Sequence, residues 1–332
     1  MLECATLFFF YFFLLFSLSS FLFPLFPQDN NIWDMQIRPL PARNGDLVVA
    51  TASTFNELKF WRVKRKSGSL QQSDVYYDFG APVQDYVGHG GPVTSTALYA
   101  NDTRMISASE DYNIYVYDTH RSSVVASWNY NGSVYRIAVD PAEKYVYAGG
   151  TAYTICCYSL EYPYQQVAEL QGHAGKVVSL AITTDGKLMA SAAHDFNVNL
   201  WSIQTSYRNR QQGGGDDDDD LQVLYPIATV VAHLGHVVDL QFAGPGQNYL
   251  ASCSNDHQVK CWKVKGTKIQ EAWSVKEAHS TVVASICWGR GDTADVGECC
   301  CCCCCCCCCC CCCVLLCCCC CCCCVVVVNY YE

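Results

Sequence analysis

Two groups of residues in the sequence have side chains suited to metal chemistry. The first is a pair of cysteine runs, residues 299–313 and 317–324, which hold 23 of the 29 cysteines. Thiolate sites usually place two to four residues between ligands so that each can turn toward the ion. Consecutive cysteines lack that spacing. A single repeated nucleotide triplet, translated in its three reading frames, can instead encode Cys, Val and Leu, the residues of these runs and of their interruptions. A translated repeat is therefore favoured over a metal buffer, and we expect the tail to be unsupported by the fold.

The second group is the histidine pair His233 and His236, whose three-residue spacing would suit a metal on a helix. The surrounding pattern instead predicts a loop between strands. A glycine-rich segment at 213–215 runs into five aspartates at 216–220, which would repel phosphate, and is interpreted as a solvated linker. The sequence thus predicts no metal site, no cofactor and no catalytic group.

Composition excludes one large class of partners. The formal net charge is −10, and the acidic excess extends through residues 28–298, so nucleic acid is not an expected partner. Outside the runs only six cysteines remain, too scattered for a disulfide framework. A reducing compartment, the cytoplasm or the nucleus, is predicted.

The N-terminal segment leaves three interpretations open. Residues 7–26 carry no charge and are long enough to cross a bilayer. Nearly all of residues 7–27 are Phe, Leu, Ser or Pro, which pyrimidine-only codons encode. Gln28 follows, and CAG is one of its codons; a pyrimidine tract followed by CAG is the usual end of an intron. A translated intron is the first interpretation. A membrane anchor with the rest of the chain facing the cytoplasm is the second, and a signal peptide, here without its basic region, is the third.

The middle of the chain repeats itself. Aligned stretches run from Gly88 to Asp118, from Gly172 to Ser202 and from Ala232 to Lys263, which are 31, 31 and 32 residues long. Each contains short Val-, Ile-, Ala- and Tyr-rich runs separated by Asp, Asn or Gly turns, which predicts four strands per unit. Such a unit cannot bury both faces alone, so several must stack around an axis as blades of a propeller.

The period also predicts the domain organisation. Residues 28–298 form the repeat domain, with insertions at 64–82 and 205–222, between an apolar segment at 1–27 and the cysteine-rich tail at 299–332. At about 40–45 residues per blade there is room for five to six blades. A sixth unit opens at Ala278 but lacks its last two strands, so we expect an incomplete ring.

The Gly-His dipeptide, the turn Asp six residues before an aromatic, and the Trp-Asp-like ending resemble the WD-repeat (tryptophan-aspartate) β-propeller family. The resemblance covers roughly residues 32–288 and implies an all-β propeller of WD-repeat type. It further implies a hydrogen-bonded chain of His, strand Ser, turn Asp and Trp that braces each blade. The implied bracing residues are His89, Ser107, Asp111, His173, Ser191, Asp195, Trp201, His233, Ser252, Asp256 and Trp262.

The same resemblance implies a function. Members of this family are non-catalytic scaffolds for protein–protein interaction, so the expected partners are other proteins and no enzyme activity is expected. Two alternatives stay open: a substrate-recruiting subunit of a ubiquitin ligase, and a membrane-tethered propeller anchored by residues 7–26. Membrane is a partner only if that segment is genuine.

The predicted partner-binding residues lie just before the turn Asp in three units and in the equivalent position of the first unit. That turn opens on the same face as the loop that enters the inner strand, and exposed polar loop residues on a rigid scaffold commonly serve recognition. The four residues are Thr54, Glu110, His194 and Asn255.

Overall fold

All regular secondary structure in the computed structural model of the chain is β-strand. The structure describes residues 32–40, 46–67, 75–78, 82–203, 221–243, 248–278, 283–290, 314–318 and 324–330. The apolar segment at 1–27 and residues 205–220 of the second predicted insertion lie outside the described residues. The described residues belong to two compact units that divide between Val230 and Val231.

The larger unit contains four sheets, which we number blades 1 to 4 in chain order. Blade 1 consists of β1 (Ile32–Pro39), β2 (Leu47–Ser53), β3 (Leu58–Ser67), β4 (Val75–Asp78) and β5 (Gln84–Tyr86). Blade 2 consists of β6 (Val93–Tyr99), β7 (Arg104–Ser109), β8 (Asn113–Asp118) and β9 (Val124–Asn129). Blade 3 consists of β10 (Val134–Val139), β11 (Tyr145–Gly150), β12 (Ile155–Ser159) and β13 (Gln166–Leu170), with β17 (Gln222–Leu224) added in parallel to β13. Blade 4 consists of β14 (Val177–Ile182), β15 (Leu188–Ala193), β16 (Asn197–Ser202) and β18 (Ala228–Val231).

The smaller unit contains blade 5 and a further sheet. Blade 5 consists of β19 (Val237–Phe242), β20 (Tyr249–Ser254), β21 (Val259–Lys265) and β22 (Lys268–Val275). The further sheet consists of β23 (Val283–Arg290), β24 (Val314–Cys318) and β25 (Cys324–Tyr330). Five sheets of blade type confirm the predicted fold class, and the incomplete ring stays a prediction.

The tail is a correction to the sequence-based expectation. Strand β25 pairs in parallel with β23, and β24 pairs antiparallel with β25. In the other blades the inner strand pairs with an antiparallel second strand. Strand β23 has its edge available instead, and the unpaired N–H and C=O groups of such an edge can pair with any segment that has β propensity. The valine-rich part of the tail has that propensity, so the expectation of an unsupported tail is wrong for these two segments.

The second strand of each blade is buried on both faces. In β2 every residue of the sequence LVVATAS is buried, and β11 and β20 follow nearly the same pattern. Near-continuous Val, Ala and Tyr replaces the alternation of a half-exposed strand, as is typical of strands buried on both faces. Within the larger unit, consecutive blades pack face to face.

The cores of the larger unit lie between consecutive blades. Ile106 and Val116 of blade 2 pack with Val146 of blade 3 in one apolar cluster, and Tyr147 of blade 3 packs with Trp201 of blade 4 in another. Side chains of this kind each contribute about 1.5–3 kcal/mol when fully buried. This interblade packing holds the loops at each end of the sheets in place.

A β-bulge recurs at the start of each inner strand. The pairing register shifts between the first and third residues of β1, β6, β10, β14 and β19. A bulge increases the local twist and redirects the side chains that follow it. In each blade the second residue of the inner strand is left without a partner in the ladder, and pairing resumes at the third residue.

Candidate functional site

Blade 4 contains a continuous chain of hydrogen bonds that starts at a tryptophan. Trp201 Nε1 donates to Ser191 Oγ at 2.8 Å, and Ser191 Oγ lies 2.7 Å from His173 Nε2. His173 Nδ1 lies 2.8 Å from Asp195 Oδ2. The chain joins the loop before β14, the second strand, the following turn and the third strand.

The donors in this chain fix the histidine tautomer. Because Ser191 accepts from the indole N–H, its own hydroxyl hydrogen is free to donate to His173 Nε2. Nδ1 then carries the ring proton and donates to Asp195, an assignment that follows from the network. Every member has a partner, so the group can be buried without an orphaned donor or acceptor.

Blade 5 repeats this geometry. Trp262 Nε1 donates to Ser252 Oγ at 2.8 Å, Ser252 Oγ lies 2.8 Å from His233 Nε2, and His233 Nδ1 lies 3.0 Å from Asp256 Oδ2. The backbone N–H of Leu234 also donates to Asp256.

Blade 2 has the same chain with one member replaced. His89 lies 3.0 Å from Asp111 Oδ2 and 2.6 Å from Ser107 Oγ. Tyr117 occupies the tryptophan position, and its buried hydroxyl has no partner at hydrogen-bonding distance. The serine of this blade therefore lacks the donor that the indole supplies in blades 4 and 5.

Blades 1 and 3 depart further from the pattern. In blade 1, Trp61 Nε1 donates to Thr51 Oγ1 at 3.4 Å. In blade 3, Tyr130 occupies the histidine position and donates to the Thr154 carbonyl. Trp128 stacks on Tyr158 there, with ring centroids 4.9 Å apart. Aromatic packing thus takes the place of the polar chain in blade 3.

A glycine two residues after each histidine belongs to the same arrangement, and the sequence analysis missed it. A Cβ on Gly175 would lie 2.7 Å from the backbone nitrogen of Asp195, and one on Gly235 would lie 2.8 Å from that of Asp256. Only glycine admits so close an approach of loop and turn. The repeated spacing His-x-Gly was the available signal.

The carboxylates of these chains stay ionised. Burial alone would raise the pKa of Asp111, but N–H groups of Asn113 and Gly90 and the pairing with His89 outweigh it and hold the pKa below its usual value. Burial lowers the pKa of His89 by more than Asp111 raises it. At neutral pH the pair is an aspartate hydrogen-bonded to a neutral imidazole, and it carries a net negative charge.

The order Ser, His, Asp is also that of a hydrolase triad, so its access to substrate decides what it can do. Ser191 and Ser252 are 0% exposed, and each accepts a hydrogen bond from an indole. A nucleophile in that position cannot reach a substrate carbonyl. These chains connect strand, loop and turn, and nucleophilic catalysis is not available to them.

The four predicted partner-binding residues lie on the turns between the second and third strands. Thr54, Glu110 and His194 are half-buried, and Asn255 is exposed. In three blades a backbone bond ties the turn to the loop that enters the inner strand. These bonds run from Glu110 N to Pro92 O (3.0 Å), from His194 N to Lys176 O (2.9 Å) and from Asn255 N to His236 O (3.0 Å).

An aspartate clamp between neighbouring inner strands was not found from the sequence. Asp34 Oδ2 accepts from Ser95 Oγ and from Thr96 N of the next blade, both at 2.9 Å. Asp239 accepts in the same way from Ser285 Oγ at 3.0 Å and from Ile286 N at 3.1 Å. A charged residue at the third position of an otherwise apolar inner strand was the signal.

The described residues also bear on the metal and membrane hypotheses. In the part of the chain that the structure describes, no three His, Cys, Asp or Glu side chains gather closely enough to hold a metal ion. Both ring nitrogens of His233 are engaged by Asp256 and Ser252. No helix formed by the described residues is long and apolar enough to span a membrane.

Known relatives share parts of this sequence. It is 22% identical over 234 residues to the Target of rapamycin complex subunit LST8 of Saccharomyces cerevisiae, which covers 70% of this chain and 68% of that protein. It is 34% identical over 146 residues to the Ribosome biogenesis protein YTM1 of Meyerozyma guilliermondii, covering 42% of this chain and 32% of that protein. The match to WD repeat-containing protein 18 of Bos taurus is 26% over 136 residues, covering 37% and 29%.

Solved structures and a family model agree on the fold. A chain of the Chaetomium thermophilum polycomb repressive complex 2 superposes with a TM-score of 0.59 at 19% identity, over 72% of this chain and 50% of that one. The chain therefore spans about half the length of the solved chain, and so low an identity shows the fold alone. The family model for the WD domain, G-beta repeat, matches residues 80–118, 164–202 and 224–263. The chain therefore contains WD repeats at these three positions, and its described residues form five sheets of four or five strands that have the pattern of β-propeller blades.

Proposed function

We propose that this protein is a non-catalytic scaffold that binds other proteins through the turns between the second and third strands of its blades. The observation that carries the proposal is the repeated fastening of these turns. In blades 2, 4 and 5 the turn is held by the aspartate chain and by a backbone bond to the adjacent loop. Polar side chains on a turn held in this way are presented in a fixed arrangement, which reduces the entropy lost on binding.

The relatives support the same reading. One is named as a subunit of the target of rapamycin complex and another as a ribosome biogenesis protein. Work within multiprotein assemblies is consistent with a scaffold, and we place this protein in the cytoplasm or the nucleus. The repeat domain proposed for this role covers residues 28–298, with the apolar segment and the cysteine-rich tail on either side of it.

The role of the His, Ser, Asp and Trp residues in this proposal is to brace the blades. They do not contact a partner themselves. The residues that do are Glu110 and His194, together with Thr54 in the same unit and Asn255 in blade 5.

The proposal is tested by capture of co-purifying proteins with the full chain and with a Glu110→Ala, His194→Ala double variant. We expect the double variant to lose specific partners while its melting temperature stays within a few degrees of the parent. Glu161→Ala is the matched control, because its carboxylate is exposed on the loop between β12 and β13. If capture is unchanged for every protein and the fold is intact, binding does not use these turns.

A further inference from the structure

Blade 3 differs from blades 2, 4 and 5 in the loop that enters its inner strand. In those three blades the residue after the histidine donates its backbone N–H to the turn aspartate, at 2.7 Å from Gly90, 2.9 Å from Ala174 and 3.0 Å from Leu234. Blade 3 has Ala152 at the position of that aspartate, so its loop has no such acceptor. The corresponding loop residue, Asn131, donates to Asn129 Oδ1 instead, at 3.0 Å.

The missing anchor is accompanied by a different backbone conformation. Asn131 has a φ of 65° and is exposed, whereas Ala174 and Leu234 at the same position of blades 4 and 5 do not have positive φ. Asparagine is one of the few residues that tolerate this region. The conformation therefore belongs to blade 3 and not to the loop of the fold in general.

The next residue, Gly132, is held in place by packing. A Cβ at this position would lie 2.6 Å from Thr151 Oγ1 and 3.3 Å from the backbone nitrogen of Ala152. Glycine admits this approach, and without a Cβ it leaves its own nitrogen uncrowded. Within the described part of the chain, neither the carboxamide of Asn131 nor the N–H of Gly132 has a hydrogen-bond partner. An uncommitted carboxamide thus stands next to an unhindered backbone nitrogen.

These two groups can react with each other. The Gly132 nitrogen attacks Asn131 Cγ, the new C–N bond closes a succinimide ring, and ammonia leaves with the proton of the former N–H. Water then opens one of the two imide bonds. The product is an aspartate, or an isoaspartate in which the chain continues through the side-chain carboxyl. The only reagent is water.

We infer that Asn131-Gly132 is a site of spontaneous deamidation in the folded protein, and that blade 3 contains it because its turn lacks the aspartate. The other Asn-Gly pair of the sequence, Asn44-Gly45, lies outside the described residues. The reaction adds a carboxylate to the loop in which Ser133 Oγ donates to the Glu110 carbonyl at 3.3 Å. The protein therefore gains a negative charge beside a turn of blade 2 as it ages. This inference does not depend on the proposed function.

The test incubates the full chain at physiological temperature, at neutral and at mildly alkaline pH, and follows each asparagine by peptide mass spectrometry. Asn101 is the internal control, because it is also exposed, with a φ of 52°, but is followed by Asp102. We expect product to form at Asn131 at least about tenfold faster than at Asn101. The rate should be higher at alkaline pH, since the attacking nitrogen must lose its proton. In water enriched in heavy oxygen the product should carry the isotope, because its new oxygen comes from the solvent.

Two variants support the assignment. Asn131→Gly removes the carboxamide and keeps a residue that adopts positive φ, so its melting temperature should stay close to that of the parent and its peptide should not change in mass. Asn131→Asp is the standard for one product, and it should also melt with the parent. The incubated parent should melt at a lower temperature, because isoaspartate adds a carbon to the backbone of this loop. If Asn131→Gly fails to fold, the comparison of Asn131 with Asn101 in the parent still decides.

Reaction in the folded loop is distinguished from reaction in unfolded molecules by dilute urea. Urea well below the unfolding midpoint raises the unfolded fraction by a factor known from the m-value. We expect the rate at Asn131 to stay unchanged across this series. A rate that rises with the unfolded fraction overturns the inference, as does a rate equal to that of Asn101. Intact Asn131 in the folded chain, under conditions in which a synthetic peptide of the same sequence deamidates, overturns it too.

Discussion

Replacing Asp195 by Ala is the sharpest test of how a blade is braced. Asp195 accepts hydrogen bonds from His173 Nδ1 at 2.8 Å, from Ala174 N at 2.9 Å and from Asn197 N at 3.0 Å. Its side chain is 7% exposed and that of His173 is 0% exposed. Alanine would remove all three hydrogen bonds at once.

The expected loss of stability depends on which of the three donors can form a hydrogen bond to water once the Asp195 carboxylate is removed. The two backbone N–H groups belong to a turn at the end of the blade, where water can replace much of what they lose. The buried His173 ring cannot recover its partner, and an unsatisfied buried donor costs about 1–3 kcal/mol. We therefore expect the free energy of unfolding to fall by about 1–3 kcal/mol. At a urea m-value of about 3 kcal/mol/M, the midpoint drops by about 0.3–1 M.

Urea unfolding followed by circular dichroism measures this midpoint. Glu161→Ala is the control, since its exposed carboxylate should change the free energy of unfolding by less than about 0.5 kcal/mol. Asp195→Asn keeps one oxygen acceptor and should lose less than Asp195→Ala. Equal midpoint shifts for Asp195→Ala and Glu161→Ala would refute the bracing role.

Three further outcomes are expected. Burial lowers the pKa of His89, so on acidification this histidine is protonated in the unfolded chain before it is protonated in the folded one, and the free energy of unfolding should fall below about pH 6.5. The pKa of Asp111 is also lowered in the folded state, which should cause a second loss of stability below about pH 4. A urea midpoint that does not change between pH 7 and 5 would contradict the first of these effects. Tyr117→Trp should replace an orphaned hydroxyl with a donor to the strand serine and raise the melting temperature by about 2–4 °C, as calorimetry would show. Burial raises the pKa of Cys261 to about 12 and that of Cys253 well above its usual value. Both thiols should therefore react with iodoacetamide only after the protein unfolds, as peptide-level mass spectrometry can measure. Rapid alkylation of either cysteine in the native protein would contradict this expectation.

Much of the fold could be predicted because the information is local and repeated. Each of the three aligned stretches forms the inner, second and third strands of one blade, namely β6 to β8, β14 to β16 and β19 to β21. Short runs of β-branched and aromatic residues between turn residues predict strands in any context. A period that recurs three times then leaves few alternatives to stacked sheets.

The tail shows where local information ran out. Codon arguments separated the cysteine runs from the repeats, but they say nothing about strand pairing. Strand β25 nevertheless pairs with β23. Backbone hydrogen bonds do not depend on the origin of a segment, so an uncovered strand edge can accept any extended chain.

By itself the sequence determined the blade type and the pairing of residues within a blade. His173, Ser191 and Asp195 stand at intervals that recur in other blades, and a fixed interval on two adjacent strands and one turn produces the same contact each time. Only the tertiary structure decided the contacts between blades. Asp34 clamps Ser95, 61 residues away, because two inner strands from different repeats lie side by side.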